Sequence, residues 1–562
     1  MIPGYSRALL IGFLALLPCV ATAGGSKADP RWWDGAVFYE IYPRSFQDTN
    51  GDGVGDLNGI TSRLDYLAEL GVDALWITPF YPSPQVDFGY DVSDYEAVDP
   101  QFGTLADFDR LVVEAHRRGM RIVTDLVLNH TSDRHRFFQD SRSSRASPRR
   151  DWYVWRDPRP GGGPPNNWNS GFGPTAWTLD PKTGQYYYHY FYPEQPDLNW
   201  REPAVEQAMF HSVRFWLDRG VDGFRLDAIN WLFEDPQLRD NPLLPELRPG
   251  SATEHEQELK YNRDLPGTHD VLRRLRRLSD EYRGERVLIG EVWVPTMEEL
   301  ARYYGPAGDE LQLPFNFFFT QVKGLSAAAF RAEVGKAERS LEGRPTTWVL
   351  SNHDLVRAYD RYRARRHGDA IAKLLAAMLL TLRGSPFIYY GEEIGMVTTE
   401  PRTLAEVRDP VGRRYWPGNK GRDGERTPMQ WDGGPQAGFT TGTPWLPVPP
   451  SAATHNVAAE SADPDSQLNF YKRLVKLRRR SPALLHGDYA PLGDDPQVFA
   501  YRRSLPGETM VVALNMSARP ARVPRGCRGP VVLSSVEGRE CLAGGDLMLA
   551  PFEATVLEAA AK

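Results

Sequence analysis

GVDGFRLDAIN, residues 220–230, starts on a glycine, runs through an apolar strand-like core and stops at an acid, Asp227. Two further runs have the same form: LIGEVW at 288–293 carries Glu291, and VLSNHD at 349–354 ends on Asp354. A lone acid at a strand end is ordinarily a helix cap or a solvated loop residue. Three of them, at the ends of separate strands, can converge over one mouth of a parallel barrel. That arrangement suits glycoside cleavage, which uses one ionised carboxylate as nucleophile and one protonated carboxyl as acid.

Outward from that stretch the same unit recurs: an apolar run, a loop, an amphipathic helix and a glycine stop. The periodicity predicts helices over Ala204–Arg219 before Gly220, Leu105–Arg118 before Gly119, and Ile60–Leu70 before Gly71. Further strand-like runs are AVFYEIY near Val37, DALWITP at 73–79, MRIVTDLVLNH at 120–130, RVLIGEV near Leu288, LPFNFFF near Phe315, TTWVLSN near Val349 and SPFIYYG near Ile388. Eight strand–helix units predict an α/β chain folded as a closed (β/α)₈ TIM barrel. An open doubly wound sheet would want a glycine-rich phosphate-binding first turn, which is absent. The barrel is expected over 31–129 and 198–484, interrupted after its third strand by a small domain at 130–197 rich in Pro, Gly, Asn and Trp. Short alternating runs such as QVFAYRR and MVVALNM predict an antiparallel β domain over 485–562, with Phe499 and Tyr501 in its core.

The net charge of −7 shows no basic block, so a nucleic-acid surface is not expected. Aromatic residues make up 12%, including 15 Trp and 25 Tyr, which fits stacking against sugar rings. Residues 1–23 read as a signal peptide: Arg7, an apolar run from Ala8 to about Val20, then Ala21-Thr22-Ala23. The run is short of the roughly 20 residues that span a bilayer. The mature chain is therefore expected in the periplasm or outside the cell, with no membrane attachment. Cleavage after Ala23 removes Cys19 and leaves Cys527 and Cys541, which either form a disulfide or stand as two unrelated small apolar residues.

With DLVLNH at 125–130, GFRLDAIN at 223–230, EVW at 291–293 and SNHD at 351–354, the chain resembles glycoside hydrolase family 13, the α-amylase family. QPDLN at 195–199 and GRDGERTPMQW at 421–431 narrow the resemblance to its oligo-1,6-glucosidase and α-glucosidase branch. The resemblance implies Asp227 as nucleophile, Glu291 as general acid/base and Asp354 as transition-state stabiliser. Arg225, two residues before Asp227, shares its face of the strand and is expected to favour the ionised form of Asp227 and lower its pKa. His130 and His353 resemble the family's sugar-binding histidines. Asp87 and Tyr90, in VDFGYD, resemble a sugar-hydroxyl acceptor and a stacking platform, and Arg422 a second sugar contact. Arg426 reads equally as a sugar contact or a structural ion pair.

DTNGDGVGD at 48–56 departs from an EF-hand because Gly59 stands where the bidentate Glu belongs, so by itself it reads as an Asx-rich turn. The family resemblance implies a structural cation there, Ca²⁺ ahead of Mg²⁺, held by Asp48, Asn50, Asp52, the Val54 carbonyl and Asp56. In this branch Val often follows the nucleophile in enzymes preferring α-1,6 bonds, so Ala228 leans toward α-1,4 substrates. The RLDRD stretch of the branch's sucrose isomerases is absent. The expectation is an exported retaining α-glucosidase acting on short oligosaccharides. A transglucosylase or an oligo-1,6-glucosidase is the near alternative, and a non-catalytic protein partner the remote one.

Overall fold

In the computed structural model, which describes residues 31–244, 257–362, 367, 369–523, 529–539 and 547–559, eight parallel strands share one sheet. They are β1 (Phe38–Ile41), β2 (Ala74–Ile77), β3 (Arg121–Val127), β4 (Gly223–Asp227), β5 (Val287–Gly290), β6 (Leu313–Pro314), β7 (Thr347–Val349) and β8 (Ser385–Tyr389). The ladder runs β7-β8-β1-β2-β3-β4-β5-β6, leaving one seam between β6 and β7. Pro314 lacks the N–H that a longer β6 would need, which is why LPFNFFF yields only a two-residue strand. Side chains span the seam instead. Thr347 Oγ1 accepts from Asn316 N at 2.8 Å and donates to the Pro314 carbonyl at 3.3 Å.

Alternation divides each strand between two cores. Phe38, Trp76, Val123, Ile289, Leu313, Val349 and Phe387 point inward and fill the barrel, with Phe38 and Phe387 stacked at 4.5 Å. Tyr39, Ile41, Leu75, Ile77, Ile122, Phe224 and Leu288 point outward into the larger core shared with the helices. The helices at 105–117 and 203–218 match their expected spans within a residue or two. The expected helix at 60–70 is two helices, Leu57–Ser62 and Leu64–Leu70. The break falls at Arg63, whose guanidinium lies 4.1 Å over Trp431 and donates to Gln47 Oε1. Gly71 ends the second helix at φ 88°, and a Cβ there would meet Val475 at 2.9 Å.

Between β3 and β4, three antiparallel strands form a small sheet: Trp155–Arg156, Gln185–Tyr188 and Trp177–Asp180 in ladder order. Its aromatic face (Trp168, Trp177, Tyr188 and Tyr190) packs on Ala228 and Trp231, just beyond β4. The insertion therefore sits against the C-terminal end of the barrel.

A five-stranded antiparallel sheet follows, in the order Asp488–Pro491, Val498–Leu505, Glu508–Asn515, Ala554–Ala559, Val531–Ser534. Phe499 and Tyr501 are fully buried in it, and the Tyr501 hydroxyl bonds Thr381 Oγ1 at 2.6 Å. Arg478, also fully buried, donates to the carbonyls of Gly35, Leu380, Leu382, Gly384 and Leu484. It thereby offsets the negative end of the helix at 370–381 and ties together the entries to β1 and β8. The expected signal peptide and both Cys527 and Cys541 lie outside the described residues. Among the described residues no helix is long and apolar enough to cross a membrane.

Candidate active site

The strand alternation that fills the barrel with apolar side chains also builds the site. One inward position beyond the apolar layer, toward the C-terminal ends, Phe38 gives way to Glu40, Val123 to Asp125, and Ile289 to Glu291. On β4 the inward column is Gly223, Arg225 and Asp227. Chain register brings these groups together, because β3 pairs with β4 at Asp125–Arg225 and Val127–Asp227.

Arg225 is the hub. Its Nη1 donates to Asp125 Oδ1 and Asp227 Oδ1, each at 2.8 Å, and its Nη2 donates to Glu291 Oε2 at 2.5 Å. The guanidinium is 2% exposed and lies 5.1 Å over Trp76. Glu291 also accepts from Trp293 Nε1 at 2.7 Å and from the Ala228 N–H at 3.2 Å. Ala228 offers that N–H from a left-handed backbone, φ 48° and ψ 39°, where an L side chain costs roughly 1 kcal/mol. Asp227 and Glu291 thus meet on the two terminal nitrogens of one guanidinium.

Three carboxylates against one guanidinium leave two negative charges in excess when all are ionised. Burial, together with Glu291 and Asp125, pushes the Asp227 carboxyl well above the ordinary range, against the pull of Arg225. The expectation that Arg225 alone would lower it is corrected. A guanidinium shared three ways does not offset the burial of three acids. Burial likewise raises Asp125 to about 6 despite Arg225. The cluster is therefore built to hold a shared proton.

Asp354 faces this cluster and is the most open of the three expected acids, with its side chain 30% exposed. Burial alone would raise its carboxyl, but His353, Arg422 and Arg426 hold it well below the usual range. Its Oδ1 accepts from Arg426 Nη2 at 2.8 Å and Arg422 Nη1 at 3.1 Å. Arg426 also donates to the His353 carbonyl at 2.7 Å, so it is an ion-pair partner of Asp354. Arg422 Nη2 reaches Asp87 Oδ1 at 2.7 Å, and its Nε reaches Asp409 Oδ2 at 2.8 Å. Asp409 is held at about 2 by Arg422, against burial.

Tyr90 lies flat on His353, with ring centroids 5.4 Å apart, and its hydroxyl meets Asp125 Oδ2 at 3.1 Å. One face of the expected platform is thus covered by a histidine. His130 Nε2 is 3.2 Å from the Tyr90 carbonyl, and burial lowers its imidazole to about 3, which keeps it neutral. QPDLN joins the site because His130 bridges to Asp197, which brings Gln195 Nε2 to 3.1 Å from His130 and 3.2 Å from Asp87 Oδ2.

All nine expected catalytic and sugar-binding positions therefore belong to one connected network. Asp125, Trp293 and Asp409 are in it too and were not singled out. The first two lie inside quoted motifs, and Trp293, two residues after Glu291, shares its face of the strand, so alternation could have found it. Asp409 caps the short helix at 410–415 after β8, so in the sequence Asp-Pro reads as a helix start and nothing ties it to the site.

The loop at 48–56 is a string of Asx turns. Asp48 Oδ1 accepts from Asn50 N and Gly51 N, and its Oδ2 from Gly53 N and Thr440 Oγ1. Asn50 and Asp52 accept from Asp52 N and Val54 N, both at 2.8 Å, and Asp56 caps the next helix through Gly59 N at 2.7 Å. The oxygen donors suit a hard cation. Asn50 and Asp52, both exposed, keep lone pairs open to solvent. Among the described residues, however, no three Asp, Glu, His or Cys side chains come together in a group able to hold a metal ion.

Residues 40–487 match the family model for the α-amylase catalytic domain. A probable α-glucosidase of Rhizobium meliloti (strain 1021) is 46% identical over 503 residues, 88% of this chain and 91% of its own. An oligo-1,6-glucosidase of Parageobacillus thermoglucosidasius is 40% identical over 87% of this chain and 91% of its own. The crystal structure of the α-glucosyl transfer enzyme XgtA superposes with a TM-score of 0.88 at 44% identity, covering 94% of this chain and all of XgtA. The trehalulose synthase MutB from Pseudomonas mesoacidophila MX-45 gives 0.86 at 38% identity, covering 94% of this chain and 99% of that one.

Proposed function

We propose that this chain, which belongs to the α-amylase family of glycoside hydrolases, is an exported retaining α-glucosidase. It removes glucose from the non-reducing ends of short α-glucosides, with α-1,4 links preferred. The observation that carries this reading is the single guanidinium of Arg225 gripping both Asp227 and Glu291. Two carboxyls held by adjacent nitrogens of one guanidinium favour the separation of roughly 5 to 5.5 Å used by retaining enzymes over the roughly 6.5 to 9.5 Å of inverting ones.

In this reading Asp227 attacks the anomeric carbon while Glu291 gives its proton to the leaving oxygen. The β-linked glucosyl ester on Asp227 is then opened by water, which Glu291 deprotonates, and the product returns to the α configuration. Arg225 stays charged throughout and holds both groups in place. His130, His353, Asp87, Arg422 and the open carboxylate of Asp354 bind the ring hydroxyls, and Tyr90 backs the ring. Transfer of the glucosyl group to another sugar uses the same intermediate. The 44% identity to a glucosyl transfer enzyme makes it the second reading.

An NMR time course with maltose and, in parallel, isomaltose tests this. Faster release from maltose, with α-glucose appearing first, supports the proposal. New oligosaccharides move the activity to transfer, β-glucose first rejects retention, and isomaltose turning over faster reverses the linkage preference. Ala228→Val is expected to shift selectivity toward isomaltose by about tenfold, the scale of a methylene-sized change in a pocket. It is also expected to lower the melting temperature, because a β-branched side chain sits badly at φ 48°. Unchanged selectivity would remove position 228 as a linkage determinant.

The loop at 48–56 is proposed to take a structural calcium ion through Asp48, Asn50, Asp52, the Val54 carbonyl and Asp56, magnesium being the alternative. Support lies in oxygen donors at alternate positions. Chelation is expected to lower the melting temperature more than the rate at moderate temperature, and added calcium to restore it. An identical melting curve with and without chelator would leave the loop as Asx turns only.

A further inference from the structure

Glu40, near the end of β1 within AVFYEIY, is 1% exposed and lies outside the family motifs. Its Oε1 is 2.6 Å from His353 Nδ1 and also accepts from the His353 backbone N–H at 3.4 Å. On the other side of the ring, His353 Nε2 lies 2.9 Å from the Tyr90 hydroxyl and 3.2 Å from Asp354 Oδ2.

These contacts fix the protons. Asp354, paired with two arginines, is a carboxylate and can only accept. The Tyr90 hydroxyl gives its proton to Asp125 and can then accept as well. Both neighbours of Nε2 therefore call for an N–H there. A neutral imidazole with its hydrogen on Nε2 has a bare Nδ1, which at 2.6 Å needs a donor, and Glu40 is the group that faces it.

We propose that Glu40 is a positioning residue: it shares one proton with His353 Nδ1 and so keeps Nε2 protonated and directed at Asp354 and the sugar side of the pocket. The pair holds two protons and no net charge, whether the shared proton sits on Glu40 or on Nδ1. Burial raises the Glu40 carboxyl and lowers the His353 imidazole to about 3, both of which favour the proton on Glu40. The groups facing the pair are Asp125 on β3, Arg225 on β4, Tyr389 on β8, Tyr42 just after β1, Tyr90 from the loop after β2, the adjoining Asp354, and Arg422 and Arg426 from the segment after β8. The part of the proposal that concerns sugar rests on the glucosidase reading; the part that concerns the tautomer does not.

The test is ¹⁵N NMR of the full chain labelled at histidine, with His353 assigned by the signal missing in His353→Gln, together with kinetics on maltose. In the free wild-type protein, His353 is expected to show a protonated Nε2 from about pH 5 to about pH 8. Glu40→Gln, whose amide N–H can donate to Nδ1, is expected to keep that tautomer and stay within about threefold of wild-type kcat/KM. Glu40→Leu is expected to give mixed tautomers and a kcat/KM lower by roughly ten- to hundredfold, the scale of one buried group left unpaired. A bare Nε2 in the wild type or in Glu40→Gln overturns the proposal, as does a Glu40→Leu protein that matches Glu40→Gln in both readouts. If Glu40→Leu does not fold, the wild type and Glu40→Gln decide. A protonated Nε2 in a protein that turns over no α-glucoside would refute the glucosidase reading and leave the tautomer standing.

Discussion

Asp227→Asn and Glu291→Gln are each expected to reduce kcat on maltose by at least about 10⁴-fold, the scale on which removing a covalent nucleophile or its proton partner acts. Both substitutions keep shape and remove a charge from a buried cluster that has two in excess, so neither variant is expected to melt below the wild type. The two losses differ in kind. A substrate with a good leaving group, such as an aryl α-glucoside, needs no protonation, so Glu291→Gln still forms the glucosyl intermediate and stalls at its hydrolysis. Added azide then attacks from the face that water uses and yields an α-glucosyl azide. With Asp227→Gly the same azide occupies the space of the missing carboxylate and yields the β anomer. Product anomers reversed between the two variants, or near-native turnover in either, would sink the assignment of roles.

Most of the barrel was legible because its strands are short apolar runs, several of them ended by an acid, and because Gly71, Gly119 and Gly220 mark the stops of the helices between the early strands. Asp227, Glu291 and Asp354 were visible as acids beyond apolar strands, and the inward pairing of Arg225 with Asp227 followed from alternation alone. What alternation does not convey is which strands are neighbours. Arg225 was read against one carboxylate and in fact meets three, since Asp125 comes from β3 and Glu291 from β5. The pKa expectation failed for that reason, and because burial depends on the assembled barrel. Glu40 was hidden differently: inside AVFYEIY it reads as one polar residue in a strand, and its partner lies 313 residues away. The break at Arg63 depends on Trp431, which is likewise remote in the chain.

Arg225→Met is expected to damage both activity and stability, and the stability change carries a pH signature. Removing one partner from a buried charge cluster costs about 3–5 kcal/mol, because the remaining carboxylates are left uncompensated. In the wild type Asp125 already lies at about 6 in the folded chain. It lies at about 4 in an unfolded one. The folded chain then holds more protons than the unfolded chain between those values, so this group's contribution makes stability fall as pH rises through that window. Without the guanidinium the folded values of Asp125 and Asp227 move higher, and the falling limb extends through neutral pH. The variant is therefore expected to melt closest to the wild type at about pH 5 and progressively below it toward about pH 8. Arg225→Lys is expected to rescue little, since one ammonium cannot reach three carboxylates on two sides as the planar fork does. A melting difference that is the same at every pH would mean that Arg225 contributes packing rather than charge, and the shared-proton account of the cluster would fall with it.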